Sequence, residues 1–245
     1  MGYQQDHLST MNILALDTIA AACSVAVRSN GKTVCSRRQE MNRGHAEVLI
    51  PMIRDVMLSA SFGFEDLNLI AATVGPGSFT GLRIGLATAR CLSVATKVPV
   101  TGVTSFQAVA AALPKEEWKD AHVLIALETK RDELYLQIFS DANTLIGEPG
   151  AIASNEVEAY IFRLIGLPRH LLVAGDGAKR AAAAIEGSSS GFLPRLSSTL
   201  VGPDAVQVAK IAHSLHLSKQ SSFPAEPLYL RPSYVQPVRS PKEVD

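Results

Sequence analysis

Residues 73–85 read TVGPGSFTGLRIG, and this stretch predicts a strand, a tight turn and the start of a helix. An apolar run precedes it, and a helical pattern continues after it to about Lys97. Gly75 and Gly77 allow backbone conformations that other residues avoid, and Ser78 or Thr80 can cap the helix. Such a helix start presents free backbone N–H groups, which suit an anion or the carboxylate or carbonyl of a partner.

Small residues recur along one face of the predicted helix. Gly81, Gly85 and Ala89 follow one another at a spacing of four residues. Residues at this spacing share a helix face, and their small size lets another backbone approach closely. That close neighbour is either part of the same fold or part of another protein, and the sequence leaves both alternatives open.

The glycine stretch does not match two well-known catalytic loops. Thr80 stands five residues after Gly75, where a phosphate-binding Walker loop has its second glycine, and no Gly-Lys-Ser or Gly-Lys-Thr follows. Ser78 does not lie in a G-x-S-x-G nucleophile elbow, because Pro76 occupies the place of the first glycine. The sequence therefore disfavours both phosphate cradling and serine hydrolysis at this loop.

Composition places the chain among compact proteins without an excess of charge. Of 245 residues, 47% are hydrophobic and 19% charged, and 23 basic residues balance 23 acidic ones. A net charge of zero gives no overall attraction to nucleic acid or to a membrane surface. The three cysteines are widely spaced and form no C-x-x-C pair, so we expect a reduced, cytoplasmic protein without a zinc site.

The amino terminus does not read as a targeting segment. Residues 1–10 are polar and lack the apolar core of a signal peptide, and no apolar run is long enough to span a bilayer. We therefore expect no membrane association. Met11 is an alternative start to Met1, and residues 1–10 would then be a flexible extension.

The chain divides into two halves that begin alike, which predicts a duplicated α/β architecture. Strands and a charged turn open residues 11–113, and a similar strand, charged turn and strand open the second half at 121–139. We place the second half at 114–223 and an extended proline-rich tail at 224–245. Residues 187–191 predict a flexible loop. A final helix, predicted over 201–217, can pack back on the first half.

Four motifs resemble the TsaB (YeaZ) family. They are ILALDT followed by CSVAV at 13–27, H-x-E-x-L-x-P at 45–51, GPGSFTGLRIG at 75–85 and PLYLRP at 227–232. The resemblance extends from about residue 11 to residue 232, and the glycine motif is its most specific part.

This resemblance implies a fold and a function. The fold is that of actin-like ATPases (ASKHA), with two halves of related topology. The function is that of a non-catalytic partner subunit, which pairs with a TsaD-type transferase to form threonylcarbamoyladenosine beside the anticodon of ANN-decoding tRNAs. A TsaE-type ATPase joins the pair, and a family member alone forms a homodimer. ATP and metal belong to the partner subunits, and tRNA is reached through the complex. The family has also been named among the glycoproteases (peptidase M22 type).

The metal ligands of TsaD-type subunits are missing here. The resemblance places two histidines shortly after residues 99–103, but residues 104–109 read TSFQAV. His213 and His216 share a helix face, yet no third ligand is near them in sequence. We therefore predict no metal site and no catalytic residue. His45 lies at a helix start beside Glu47, where capping or a partner contact is expected.

Three segments correspond to the nucleotide-binding turns of the actin-like fold, each with a departure from the pattern. Ile19 and Ala20 replace the glycine expected in the first turn, and residues 128–132 form the second turn with Glu128 where the family commonly has aspartate. The third segment, residues 175–177, fits the late glycine motif of the actin-like fold only loosely. These residues form a weak nucleotide-binding candidate: Asp17, Thr18, Gly175, Asp176 and Gly177. The alternative to nucleotide binding at Asp17 is hydrogen bonding to its own hairpin.

The leading prediction is a partner-binding surface. Its candidate residues are Gly75, Gly77, Ser78, Gly81, Arg83, Gly85, Ala89 and His45. The rival hypothesis is an autonomous actin-like ATPase or kinase built on the three turns, and a metallopeptidase is a third. Direct contact with tRNA would use Arg37, Arg38 and Arg231, although the zero net charge argues against it.

Overall fold

A computed structural model describes residues 11–119, 121–129, 131–141, 144–166, 170–187, 194–199, 202–218 and 224–231. Among these residues, the first sheet contains five strands: β1 Asn12–Asp17, β2 Ala22–Ser29, β3 Lys32–Glu40, β4 Leu69–Thr73 and β5 Val100–Val103. The second sheet also contains five: β6 His122–Leu127, β7 Glu133–Phe139, β8 Leu145–Ala153, β9 Leu171–Ala174 and β10 Arg195–Leu196. The helices are α1 His45–Ala60, α2 Phe79–Thr96, α3 Ser105–Ala110, α4 Val157–Ile165, α5 Ala178–Glu186 and α6 Ala205–Leu217. Short 3-10 helices lie at Phe64–Asp66, Lys115–Trp118 and Ser154–Glu156.

The two sheets have the same topology. Their strand orders are β3-β2-β1-β4-β5 and β8-β7-β6-β9-β10. In the first sheet, β1 pairs antiparallel with β2 and parallel with β4. In the second, β6 pairs antiparallel with β7 and parallel with β9. The predicted duplicated α/β architecture is confirmed.

Helices cover both faces of the first sheet. The core on one face joins β-strand side chains to α1 and α2, through residues such as Ile53 and Leu86. The core on the other face joins the sheet to α3 and α6, through residues such as Ala108 and Val208. Helix α6, the last helix in the described part of the chain, therefore packs on the first half. It begins at Ala205, later than predicted, because the Asp204 side chain accepts a hydrogen bond from Val206 N at 2.8 Å and caps it.

Helix α3 links the two halves. Its Phe106 and Val109 pack with Ile125 and Phe139 of the second sheet, whereas Ala108 packs against the first sheet. A six-residue helix buried on both sides is thereby shared by two cores. The second sheet is covered on its other face by α4 and α5.

The glycine stretch folds as the sequence predicts, with β4, a turn and α2 in succession. Gly75 has a φ of 108°, a value that favours glycine, and the Gly75–Pro76 peptide is cis. Ser78 is the N-cap, and its hydroxyl accepts a hydrogen bond from Gly81 N at 3.3 Å. In α1, Pro51 lies inside a helix that begins at His45.

Some predictions fall on residues that the structure does not describe. These are the extension at residues 1–10, most of the loop at 187–191 and the tail after residue 231. In the described part of the chain, no helix combines the length and apolar character needed to cross a membrane.

Candidate functional site

A cleft of about 480 Å³ opens between the two halves. The first half contributes the β1–β2 turn, the start of α1 and the glycine loop, and the second contributes the β6–β7 turn and Asp176. The C-terminal segment adds Arg231. Among the predicted site residues, the cleft is lined by His45, Gly77, Ser78 and Asp176.

The small-residue face of α2 packs inside the protein's own fold. A Cβ atom at Gly81 would overlap the carbonyl oxygen of Thr18, and one at Gly85 would come within 2.6 Å of the Thr18 hydroxyl oxygen. That hydroxyl donates to Gly81 O at 2.7 Å, and Ala89 is fully buried. Of the two kinds of neighbour left open for this face, the structure shows the protein's own fold: the β1–β2 turn packs against Gly81 and Gly85, and Ala89 is buried in the core of the first half.

Asp17 and Thr18 face the protein interior and do not line the cleft. The Thr73 hydroxyl donates to Asp17 Oδ1 at 2.6 Å, while Oδ2 has no hydrogen-bond partner among the described residues. Burial raises the pKa of Asp17 from 3.8 to about 7, and the Thr73 hydrogen bond opposes this change. Neither side chain is placed to bind a phosphate, because Asp17 is buried and the Thr18 hydroxyl is hydrogen-bonded to Gly81 O of α2.

The Gly175-Asp176-Gly177 turn is shaped by contact with β6. Gly175 has a φ of 100°, and a Cβ atom there would overlap Ala126 O. Gly177 N donates to the same oxygen at 3.0 Å. Asp176 accepts a hydrogen bond from Glu128 N at 3.0 Å, and burial raises its pKa. The glycines therefore serve close packing, and only the aspartate of this turn lines the cleft.

The glycine loop is fixed from both sides. Gly77 lies against Ile19, and a Cβ atom there would overlap the isoleucine side chain. From behind, the Ser105 hydroxyl donates to Pro76 O at 2.7 Å. A rigid loop that presents Gly77 and Ser78 to the cleft follows from these contacts.

His45 is the first residue of α1 and lines the cleft. It is 8% exposed, and its Nε2 has no hydrogen-bond partner in the described part of the chain. The N-cap is Gly44 in a left-handed conformation, and no side chain caps the helix. His45 therefore does not cap α1, and its contact with a partner stays a prediction.

An aromatic and basic cluster lies at the cleft rim. The Arg83 guanidinium stacks 3.8 Å from the centroid of the Phe79 ring, and Phe79 lies 5.7 Å from the Tyr229 ring. Sequence reasoning chose Arg83 but missed Phe79 and Tyr229 as site residues. The PLYLRP motif carried the signal for Tyr229 and Arg231, but nothing local indicates that it returns to the glycine loop.

No metal centre is visible among the described residues, which contain no cluster of three or more His, Cys, Asp or Glu side chains able to hold an ion. The segment where the resemblance predicted metal-binding histidines for a TsaD-type protein forms the start of α3 in this chain. There Thr104 and Gln107 make a capping box, with Gln107 N donating to Thr104 Oγ1 at 3.1 Å.

The outward surfaces of α1 and α2 each carry exposed apolar residues, and we call these residues together the outer face. Both helices cover the same side of the first sheet, so their exposed residues point to the same side of the molecule. Val94 is 83% exposed and Leu58 is 69% exposed. The outer face consists of Ile50, Leu58, Ala87, Cys91 and Val94. Sequence reasoning missed this surface, although its apolar residues lie outside the periodic positions that predict the buried side of each helix.

Two sheets of identical topology around a cleft define a protein of the actin-like ATPase fold. A solved YeaZ-like protein of Pseudomonas aeruginosa, described as similar to a peptidase, matches 90% of this chain and all of its own chain, at a TM-score of 0.74 and 25% identity. A ROK family protein of Streptococcus pneumoniae matches at a TM-score of 0.50 and 11% identity, over 86% of this chain and all of its own. That second likeness concerns the fold alone.

Sequence comparisons agree on the family. The Escherichia coli (strain K12) tRNA threonylcarbamoyladenosine biosynthesis protein TsaB is 30% identical over 227 residues, which cover 90% of this chain and 95% of that protein. The Buchnera aphidicola TsaB from Schizaphis graminum is 32% identical over 69% of this chain and 80% of its own. The family model described as TsaD, tRNA N6-adenosine threonylcarbamoyltransferase, matches residues 37–216. The chain belongs to the TsaB family.

Proposed function

We propose that this protein is the non-catalytic partner subunit of a TsaD-type transferase, required for threonylcarbamoyl modification of adenosine beside the tRNA anticodon. Its relatives are named for biosynthesis of this modification, which supports the pathway. The match to the TsaD family model supports a partner of related fold. The work of the chain is to bind and position that partner.

One observation carries the non-catalytic part of the proposal. In the actin-like fold the first hairpin turn faces the nucleotide, but here Thr18 donates its hydroxyl to Gly81 O at 2.7 Å and Asp17 is buried. Binding phosphate there would break this hydrogen bond and expose a carboxyl that is held in the interior. ATP and metal are therefore assigned to the partner subunits.

The outer face supports the binding part of the proposal. It presents apolar side chains on two adjacent helices, and a cluster of this kind suits the apolar core of a protein interface. We assign it to a TsaD-type paralogue. A second copy of this chain would use the same surface, so a homodimer competes with the heterodimer. A TsaE-type ATPase joins the pair, tRNA is reached through the complex, and the assembly works in the cytoplasm.

Val94→Glu is expected to weaken binding of the TsaD-type protein by roughly a hundredfold, because an unpaired charge would be buried in the interface. Val94 is 83% exposed in the isolated chain, so the free protein should keep its thermal stability. The measurement is calorimetric titration of the purified TsaD-type protein.

Phe162→Glu provides the matched control. Phe162 is also an exposed apolar helix residue, at 58%, but it lies on α4 in the second half. Unchanged affinity is expected for this variant. Equal affinities for the wild type and Val94→Glu would contradict the placement of the interface.

A further inference from the structure

Residues 224–231 run across the first half before they reach the second. Arg90 of α2 donates to Ala225 O through Nε at 3.1 Å and Nη2 at 2.5 Å. Leu228 N donates to Val74 O at 2.7 Å, just before the glycine loop, and the Leu228 side chain packs against the core under α1 and α2. This end of the segment is thus attached to α2 and to the end of β4.

The other end of the segment is attached to the second half. Leu230 packs against the core that contains Ile125 and Phe139. Arg231 forms an ion pair with Glu133 at the start of β7, and its guanidinium lies 5.4 Å from the centroid of the Tyr135 ring. Arg231 also lines the cleft. Eight residues thereby connect both walls of the cleft with polar and apolar contacts.

The position of the segment relative to α3 gives it a mechanical role. Helix α3 is buried between the two sheets and joins their cores. The contact of Arg231 with Glu133 and Tyr135 lies instead at the cleft. A rotation of one half about α3 would open the cleft only if this contact broke, since Leu228 stays hydrogen-bonded to the first half.

We propose that residues 224–231 are a latch that holds the cleft closed through Arg231, and that a partner on the outer face controls this latch through Arg90. Arg90 lies on α2 between Ala87 and Cys91 of the outer face, so a docked partner contacts the residue that holds Ala225. Control by the partner rests on the proposed function. The latch itself is a property of the isolated chain and does not depend on that function.

Hydrogen exchange of the isolated protein tests the latch. Arg231→Gln should accelerate exchange roughly tenfold in peptides covering residues 77–82 and 127–134, because a charge-assisted contact across the cleft is lost. The exchange rate of peptides covering α4 should be unchanged. Arg163→Gln is the matched control, since Arg163 stacks on Tyr160 at 5.7 Å but lies within the second half.

Two results would overturn the latch. The first is wild-type exchange at both cleft walls in Arg231→Gln. The second is a uniform acceleration over the whole chain, because that pattern reports general destabilisation. Deletion of the tail after residue 231 leaves the latch residues in place and should leave exchange at the cleft walls unchanged, which separates the role of Arg231 from that of the residues beyond it.

Addition of the TsaD-type protein tests the control by the partner. Binding to the wild type should change the exchange rate at residues 127–134. In Arg90→Met, binding should change that rate by only about one fifth as much, or less. Arg54→Met, which replaces an exposed arginine of α1, serves as the control. Binding without any change at 127–134 in the wild type would overturn the coupling. Failure of the wild type to bind would reject the proposed function and the coupling with it, while the result for Arg231→Gln still decides the latch.

Discussion

Replacing Gly81 by alanine is expected to destabilise the protein by about 3 kcal/mol, a large fraction of the stability of a typical domain. The added Cβ atom would overlap the carbonyl oxygen of Thr18, which belongs to the backbone and cannot rotate away. Alanine is favoured over glycine inside a helix by about 1 kcal/mol, so helix propensity acts in the opposite direction. Urea unfolding followed by circular dichroism measures the net effect.

Two other glycines provide comparisons. Gly202→Ala adds a Cβ atom at an ordinary contact distance of 3.4 Å from the Ala20 side chain and should leave stability unchanged. Gly85→Ala should have an intermediate effect, because the clash at 2.6 Å is with the Thr18 hydroxyl, which can rotate once its bond to Gly81 O breaks. A Gly81→Ala protein as stable as Gly202→Ala would mean that α2 does not pack against the β1–β2 turn as described.

Asp17→Asn is expected to stabilise the protein at pH 8 by up to about 4 kcal/mol and to have little effect near pH 4. Burial raises the pKa of Asp17 from 3.8 to about 7 in the folded state, so the folded protein binds the proton more tightly than the unfolded chain does. The stability gained from the neutral carboxyl is complete below the unfolded value and is lost as pH rises through 7. Asparagine is never charged, and its oxygen can still accept from Thr73 Oγ1.

The measurement is the free energy of unfolding of wild type and variant between pH 4 and pH 8. The difference between them should grow as pH rises and level off above pH 7. Asp55→Asn is the control, because Asp55 is an exposed helix residue whose only described ion pair, with Arg54, spans 3.5 Å at the surface. A constant difference between wild type and Asp17→Asn at every pH would show that Asp17 is not buried as a titrating acid.

The repeated architecture could be predicted from the sequence because its signals are local. Apolar runs, the charged turn before Glu133 and the glycine stretch all lie within a few residues of the elements that they define. The end of α2 near Lys97 could also be predicted, since the signals that end a helix are short-range.

The packing partner of each predicted residue could not be read in the same way. Thr18 and Gly81 are 63 residues apart, and a small-residue stripe looks the same whether a hairpin turn or a partner helix covers it. The pattern at 227–232 was recognisable as a motif, but its return to Val74 and Glu133 depends on the complete fold. His45 illustrates the same limit, because its position at a helix start suggested capping, whereas the structure places it in the cleft wall.

Helix α2 has an inner side that packs within the first half and an outer side that we assign to the partner. The β1–β2 turn packs against the inner side of α2, so the residues of this turn stabilise the fold. The outer face remains uncovered on the opposite side of the same helix. A single helix thus joins the internal packing of the first half to the surface that we assign to the partner.

Formation of threonylcarbamoyladenosine on an ANN-decoding tRNA, measured in a reaction reconstituted from purified subunits, tests the central claim most directly. The account predicts no product from this chain alone, product when the TsaD-type and TsaE-type proteins are added, and a loss of product with Val94→Glu that Phe162→Glu does not share. Product formed by the isolated chain, or full activity of the other subunits without it, would contradict the account.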